Sequence, residues 1–444
     1  MSVVEGSPKA WLLIFDPTLR SLEGHSYNYD LAVASEAKGR FDAVVIFADE
    51  AFKPGGEVDV PIKAIVEARW FKGLRSAVGR AFPRNDSGAL PNLPAAGVPG
   101  PFQYFWKELR ARGLARSIVR ALALLEAEPQ DRIHIFVQRA DLFEIAGVDA
   151  FCRRNTWVTG RHLTFHLLLR HDPDITRARQ ESPAAFRARL RRLSARENPE
   201  IRFHTDSEPI ARSYRQLTGI HGQFSLMPVP VCAMAAAAHT QRPKTKNFVR
   251  ISVLGAPRIE KGFGLLDKLI PLFPGKFGAA RVHVAVQINR RVADRNVVRV
   301  NRWLDAYAAS SLGDGPVLEL LDGPAPEDIY FSWLSGTDVL IAPYVSQKYI
   351  RSTSGIFVEA LHFCVPSVVM RGTWAAGLIA EAAQQGLSIG EVADGVAAIP
   401  ERSRAIWTQL SRYKADIEAY VHDWKQKYSL GIAELLLAAP RSAS

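Results

Sequence analysis

Cysteine is nearly absent. The 444 residues carry three, Cys152, Cys232 and Cys364, and none belongs to a Cys-x-x-Cys pair. That spacing argues against a zinc knuckle or a redox dithiol, and an odd, sparse count is not the framework of a disulfide-stapled secreted domain. Long apolar runs are missing too. No stretch approaches the roughly 18 residues that span a bilayer. The start, MSVVEGSPKAWLLIFDP, has only the short run Trp11–Phe15 and no cleavage pattern, so it does not read as a signal peptide. Repeats at solenoid periods are absent. Asp-x-Asp beside a strand end occurs only as Asp172-Pro173-Asp174. A single copy interrupted by proline is a poor metal motif, so no metal is expected. The chain is expected to be cytoplasmic, with room for peripheral association on the inner face of a membrane.

What is present is globular. The hydrophobic share of 48% and charged share of 23% exclude wholesale disorder. The length suits two large domains or three smaller ones. The net charge of +11 favours anionic partners such as nucleotides, nucleic acid or an anionic membrane surface. No nucleic-acid recognition motif accompanies it. The excess is concentrated in Arg69–Arg120, where ten Lys/Arg face two Asp/Glu and interleave with Trp70, Phe71, Phe82, Phe102, Tyr104, Phe105 and Trp106. That composition fits either a membrane-surface patch or aromatics in a core beneath a solvated face.

Short apolar runs alternate with longer amphipathic stretches. Strands are expected at Trp11–Phe15, Ala43–Phe47, Ile133–Val137, Leu163–Leu169 and Ile201–His204, then at Val249–Leu254, Val282–Gln287, Val317–Leu321, Val339–Ala342 and Ser367–Met370. They are continuous in Val, Ile, Leu and Phe rather than alternating, as strands covered on both faces of a parallel sheet must be. Helices are expected between them, which makes an α/β chain of two doubly wound, Rossmann-like domains facing each other across a cleft. The expected boundaries are an N-terminal domain over 1–235, a linker over 236–247, a C-terminal domain over 248–402, and terminal helices over 403–444 that can pack back on the first domain.

In doubly wound sheets, ligands bind beyond the carboxyl ends of the strands. Two segments there carry chemistry. In SVLGAPRIEKG, Gly255 lets the backbone turn after a strand, and Arg258 and Lys261 supply cations suited to a diphosphate. The alternative is an ordinary loop with solvated charges. In DVLIAPYVSQKYIRSTSGIFVEALHFCVPSVVM, a strand ends at Ala342-Pro343-Tyr344, and Ser352-Thr353-Ser354-Gly355 opens a helix bearing Glu359. Such a helix start exposes backbone N–H groups to an anion. Glu359 is placed to accept from ribose hydroxyls, or simply to complement the helix dipole.

Together these pieces resemble the nucleotide-sugar domain of GT-B glycosyltransferases, most closely the large family four type, over the C-terminal half. The resemblance departs at two points. Ala256 stands where the family often has Arg, leaving Arg258 as the substitute, and Arg351 stands at the first position of the family's Glu-x7-Glu pair, of which Glu359 is the second. The first acid is usually near the donor sugar, so Arg351 opens a contact to donor phosphate or another acidic group. In the N-terminal half, DPTLRSLEGHSYNYD resembles the family's first loop, which implies roles for Gly24 and His25 near the donor phosphates. Thr164-Phe165-His166 resembles a strand end whose histidine lies near the reacting sugar. The three leucines after His166 equally allow a core histidine, with His171-Asp172 at the true strand end.

The resemblance implies transfer of a sugar from a nucleotide-diphosphate donor, UDP- or GDP-linked, to a glycan or lipid-linked acceptor in polysaccharide or glycolipid assembly, with retention and without metal. His166, Arg258 and Lys261 are the expected catalytic residues. Gly24, His25, Gly255, Tyr344, Arg351, Ser354, Gly355 and Glu359 are expected to hold the donor. Two alternatives remain: another sugar-nucleotide enzyme on this architecture, such as an epimerase or pyruvyl transferase, and a non-catalytic carbohydrate- or membrane-associated scaffold.

Overall fold

The computed structural model describes residues 7–20, 25–53, 60–66, 100–154, 162–176, 181–220, 224–227, 229, 248–310, 315–323, 325–345, 347–428 and 432–437. The chain divides into two compact units, Met1–Pro230 with Leu430–Ser444, and Val231–Ser429. Both are α/β.

The first unit is built on seven strands: β1 (Ala10–Asp16), β2 (Ala43–Asp49), β3 (Ile62–Val66), β4 (Arg132–Val137), β5 (His162–Leu169), β6 (Glu200–Thr205) and β7 (Phe224–Leu226). They lie in the order β3-β2-β1-β4-β5-β6-β7, every pair parallel. β1 is central, with Leu13 beside Val45 on one side and Ile135 on the other. The strands are apolar on both faces because helices cover both. One face packs Leu13, Phe15, Phe47 and Phe165 against Ile118, Ile145 and Phe151. The other packs Leu12, Ile14 and Phe136 against Val33 and Tyr29 of the helix His25–Ala37, and against Ile432 and Leu436 of the last helix, Ile432–Leu437.

The second unit holds β8 (Phe248–Val253), β9 (Arg281–Ile288), β10 (Val317–Asp322), β11 (Val339–Ala342), β12 (Ser367–Met370) and β13 (Gly390–Ala393) in the parallel order β10-β9-β8-β11-β12-β13. Winding starts at β8, runs outward to β10, then returns to β11 and runs outward on the other side. The direction therefore reverses between β8 and β11. At such a switch point the two loops diverge beyond the strand ends and leave room for a ligand.

Three strands lie beyond those expected: β3, β7 and β13. Each is an edge or near-edge strand of five residues or fewer, too short and too polar for a continuous apolar signature. The helix expected over Gly262–Leu272 is broken into turns at Phe263–Leu265, Leu266–Leu269 and Ile270–Leu272, because Gly264 and Pro271 both disfavour an unbroken helix.

Candidate functional site

The loops after β8 and β11 form one structure. From Arg258 the chain makes a tight 3-10 knuckle, with Lys261 N–H on Arg258 O at 3.0 Å and Gly262 N–H on Ile259 O at 2.9 Å. Gly262 closes it at φ +78°, where only glycine is unstrained. The knuckle leans on the second loop: Val345 N–H reaches Glu260 O at 3.4 Å, and Gly262 is pressed onto Pro343. Gly255, at φ +99°, makes the turn out of β8. Its N–H donates to Gln287 Oε1 at 2.7 Å, so this amide is tied to the end of β9.

The cations follow from this frame. Lys261 Nζ hangs over Gly255, 3.5 Å from where a Cβ would be, and 5.9 Å from the centre of the Tyr344 ring. Arg258 is about half exposed, 3.9 Å from Glu260, and its charge is felt by both Tyr344 and Tyr349. Those two rings pack with centroids 4.2 Å apart, tilted 38° to each other. Burial holds the Tyr344 hydroxyl in its neutral form and pushes Tyr349 up to about 12.

Tyr344 also leads to the helix Gly355–His362. Its hydroxyl is 3.1 Å from Ser354 Oγ, and Ser354 caps the helix by accepting from Phe357 N–H at 3.3 Å. The helix N-terminus carries positive partial charge, so Lys261, Arg258 and the first turn of this helix form a cationic set at the switch point. One turn in, Glu359 is half-buried, with Oε1 4.0 Å from where a Cβ on Gly355 would lie. Its Oε2 accepts from Tyr330 Oη at 2.5 Å. Tyr330, on the helix Glu327–Ser335, is buried, and burial together with the Glu359 charge raises its pKa, keeping the hydroxyl a donor.

Of the expected site residues, Gly255, Arg258, Lys261, Tyr344, Ser354, Gly355 and Glu359 gather in this region. Arg351 is exposed on the turn just before the helix. Gly24 lies outside the described residues. His25 begins the helix His25–Ala37 in the first unit, and its side chain is outside them as well. Neither Tyr330 nor Gln287 was among the expected residues. Tyr330 is 29 positions from its partner, a separation that leaves no local signature.

His166 is placed differently from the expected strand end. β5 runs on to Leu169, so His166 lies inside the sheet at 0% exposure. Its Nε2 is 3.1 Å from His134 Nδ1 on β4, and its Nδ1 is 3.0 Å from His204 Nε2 on β6. With both nitrogens engaged and no exposed surface, it is a core histidine and cannot reach a reacting sugar. His171, the rival, follows the strand, where its carbonyl accepts from Thr176.

Much of Arg69–Arg120 lies outside the described residues. Those within it have partners inside the unit: Arg112 pairs with Glu108, Arg120 reaches Glu50, and Arg110 stacks over Phe143. Among the described residues no cluster of His, Cys, Asp and Glu has the arrangement of a metal site, and no helix is long and apolar enough to cross a membrane.

No protein-family profile and no curated protein sequence matches the chain. Solved structures do. An E. coli structure described as trehalose-6-phosphate bound with UDP-2-fluoro glucose superposes with a TM-score of 0.58 at 13% identity, covering 97% of this chain and 100% of the other. A UDP-forming α,α-trehalose-phosphate synthase from Burkholderia xenovorans gives 0.56 at 12% identity over 93% and 94%. WaaG, a glycosyltransferase involved in lipopolysaccharide biosynthesis, gives 0.56 at 11% over 97% and 100%. At these identities the likeness is one of fold: two Rossmann-like units of the GT-B type.

Proposed function

We propose that the chain is a glycosyltransferase that moves a sugar from a nucleoside-diphosphate donor, UDP- or GDP-linked, to a hydroxyl of a glycan or lipid-linked acceptor. The observation that carries this reading is the meeting of Lys261, Arg258 and the Ser354-capped helix at the β8/β11 switch point. Breaking a glycosyl–phosphate bond leaves charge on the departing diphosphate. Fixed cations and a helix N-terminus aimed at that charge lower the barrier. With that charge met by side chains, the reading includes catalysis without a divalent ion. Glu359 is assigned to the ribose and Arg351 to an acidic group of the donor. Three structural neighbours support the reading, one bound to a UDP-sugar, one UDP-forming and one a glycosyltransferase by description.

Retention of configuration, a role in polysaccharide or glycolipid assembly, and seating on the inner membrane face through Arg69–Arg120 belong to the same proposal. The test is a thermal-shift series with UDP, GDP, ADP and TDP, with and without magnesium. A ligand that binds only the folded state must raise the melting temperature. A shift with one base, unchanged by magnesium and lost in Lys261→Ala, supports it. No shift with any of the four would move the reading to a non-catalytic scaffold.

A further inference from the structure

We infer that Glu260 competes with the donor diphosphate for Arg258, so that the site carries its own brake on nucleotide affinity and removing one negative charge tightens binding. This rests on the proposed nucleotide site. Arg258 and Glu260 stand two residues apart on the knuckle after β8, with Arg258 Nη1 3.9 Å from Glu260 Oε1. At that distance the pair is a Coulombic contact without a hydrogen bond. Both charges also reach one neighbour. Beneath the larger effect of burial, Glu260 pushes the Tyr349 hydroxyl up and Arg258 pulls it down. The carboxylate therefore sits among the groups that would meet a diphosphate.

The two partners differ in freedom. Glu260 is anchored through its backbone, whose carbonyl accepts from Val345 N–H at 3.4 Å, and Ile259 beside it packs on the core of the second unit. Arg258 is the more exposed side chain, 54% against 38%, and its long stem can swing. A guanidinium binds phosphate through two parallel N–H groups, and Arg258 turned to do so leaves Glu260. An exposed and poorly aligned ion pair is weak. A diphosphate can therefore break it, and whatever the pair is worth is subtracted from the affinity. Glu260 needs no contact with the ligand for this. It acts through Arg258, and it eases release of the nucleoside diphosphate left after transfer.

The experiment titrates UDP, GDP and inorganic pyrophosphate into the full chain, Glu260→Gln, Arg258→Ala and the double variant, at about 50 and about 500 mM salt. Glu260→Gln keeps the side-chain shape and removes the charge, and the unliganded melting temperature reports the fold. It is expected to tighten nucleotide and pyrophosphate binding alike by about three- to tenfold at low salt. At high salt, where the pair is screened, the gain is expected to fall below about twofold. In the Arg258→Ala background the same substitution is expected to change affinity by less than about twofold. A residue that merely shaped the loop would lose affinity on replacement, not gain it. Unchanged or weaker binding by Glu260→Gln, or a gain that persists without Arg258, overturns the inference and leaves the nucleotide site standing. Absence of binding by every ligand, in the native chain and in the variants, overturns both.

Discussion

Gly262 and Pro343 meet so closely that a Cβ on the glycine would sit 1.9 Å from the Pro343 carbonyl oxygen. No side-chain rotation relieves an overlap with backbone. The contact seats the β8 loop on the β11 loop and so sets where Lys261 stands over Tyr344. Gly262→Ala adds the cost of a left-handed backbone, about 1–2 kcal/mol, to the displacement of one loop. The expected outcome is a destabilisation of about 2–4 kcal/mol in urea unfolding, together with loss of nucleotide binding. A variant of native stability and native affinity would show that the two loops need not touch.

Arg258 and Lys261 test charge without disturbing the fold. Arg258 is about half exposed and its ion pair with Glu260 is long, so it adds almost nothing to stability. Arg258→Ala is expected to leave the melting temperature within about 2 °C while weakening nucleoside-diphosphate binding by about 1.5–3 kcal/mol, the range for a hydrogen bond to a charged group. Lys261→Ala is expected to weaken it at least as much. Isothermal titration reads both, and affinity unchanged in both variants would remove the diphosphate from this site.

The strands were legible because burial on two faces leaves continuous apolar runs, and Tyr344 and Gly255 could be placed after strand ends for the same reason. The histidine in HLTFHLLL could not be placed. An apolar run tells that a strand exists but not where it stops, and the three residues to Leu169 turn a strand-end side chain into a core one. Tyr330 was illegible for a different reason. Its partner is supplied by tertiary packing between two helices, and nothing in the local sequence of either encodes the pairing.

The buried histidines have a pH consequence of determinable sign. Leu436 O, an acceptor only, takes a hydrogen bond from His134. The other His134 nitrogen, Nδ1, must then accept from His166, whose Nδ1 accepts from His204, whose Nδ1 accepts from Ser225 Oγ at 2.7 Å. This chain needs three neutral rings. Burial, with Arg202 nearby, pulls His134 down to about 4 and His204 to about 3, and burial and its neighbours pull His166 down as well. The unfolded chain thus binds protons that the folded chain refuses. Stability of the first unit is full above the ordinary histidine value near 6.5 and falls as pH drops towards 4, by up to about 1.4 kcal/mol per histidine per pH unit. Urea unfolding at pH 7 and 5.5 measures it, and His166→Gln is expected to reduce the slope by about one proton. A flat profile would mean that the rings are not neutral in the folded unit.

Asp30 gives the opposite slope. It is fully buried on the helix His25–Ala37, where its protonated carboxyl shares a hydrogen bond with Asp16. Burial, then the charge of Asp16 at the end of β1, raises its pKa well above the usual carboxylate range. The folded chain therefore keeps a proton that the unfolded chain releases. The stability tied to that proton is fully present below the unfolded value near 4 and is lost as pH rises. Asn has the shape of the protonated acid and cannot ionise. Asp30→Asn is therefore expected to stabilise the chain by about 1–3 kcal/mol at pH 8 and by little at pH 4.5, a range set by the desolvation penalty of a buried polar group. Chemical unfolding at the two pH values decides it. An Asp30→Asn gain that is the same at both would show that the effect is packing and that Asp30 is already ionised. If both slopes hold, three histidines outweigh one carboxyl below about pH 6.5 and the carboxyl alone acts above it, so the first unit is most stable near the ordinary histidine value, and the double variant His166→Gln, Asp30→Asn should make the profile shallower on both sides.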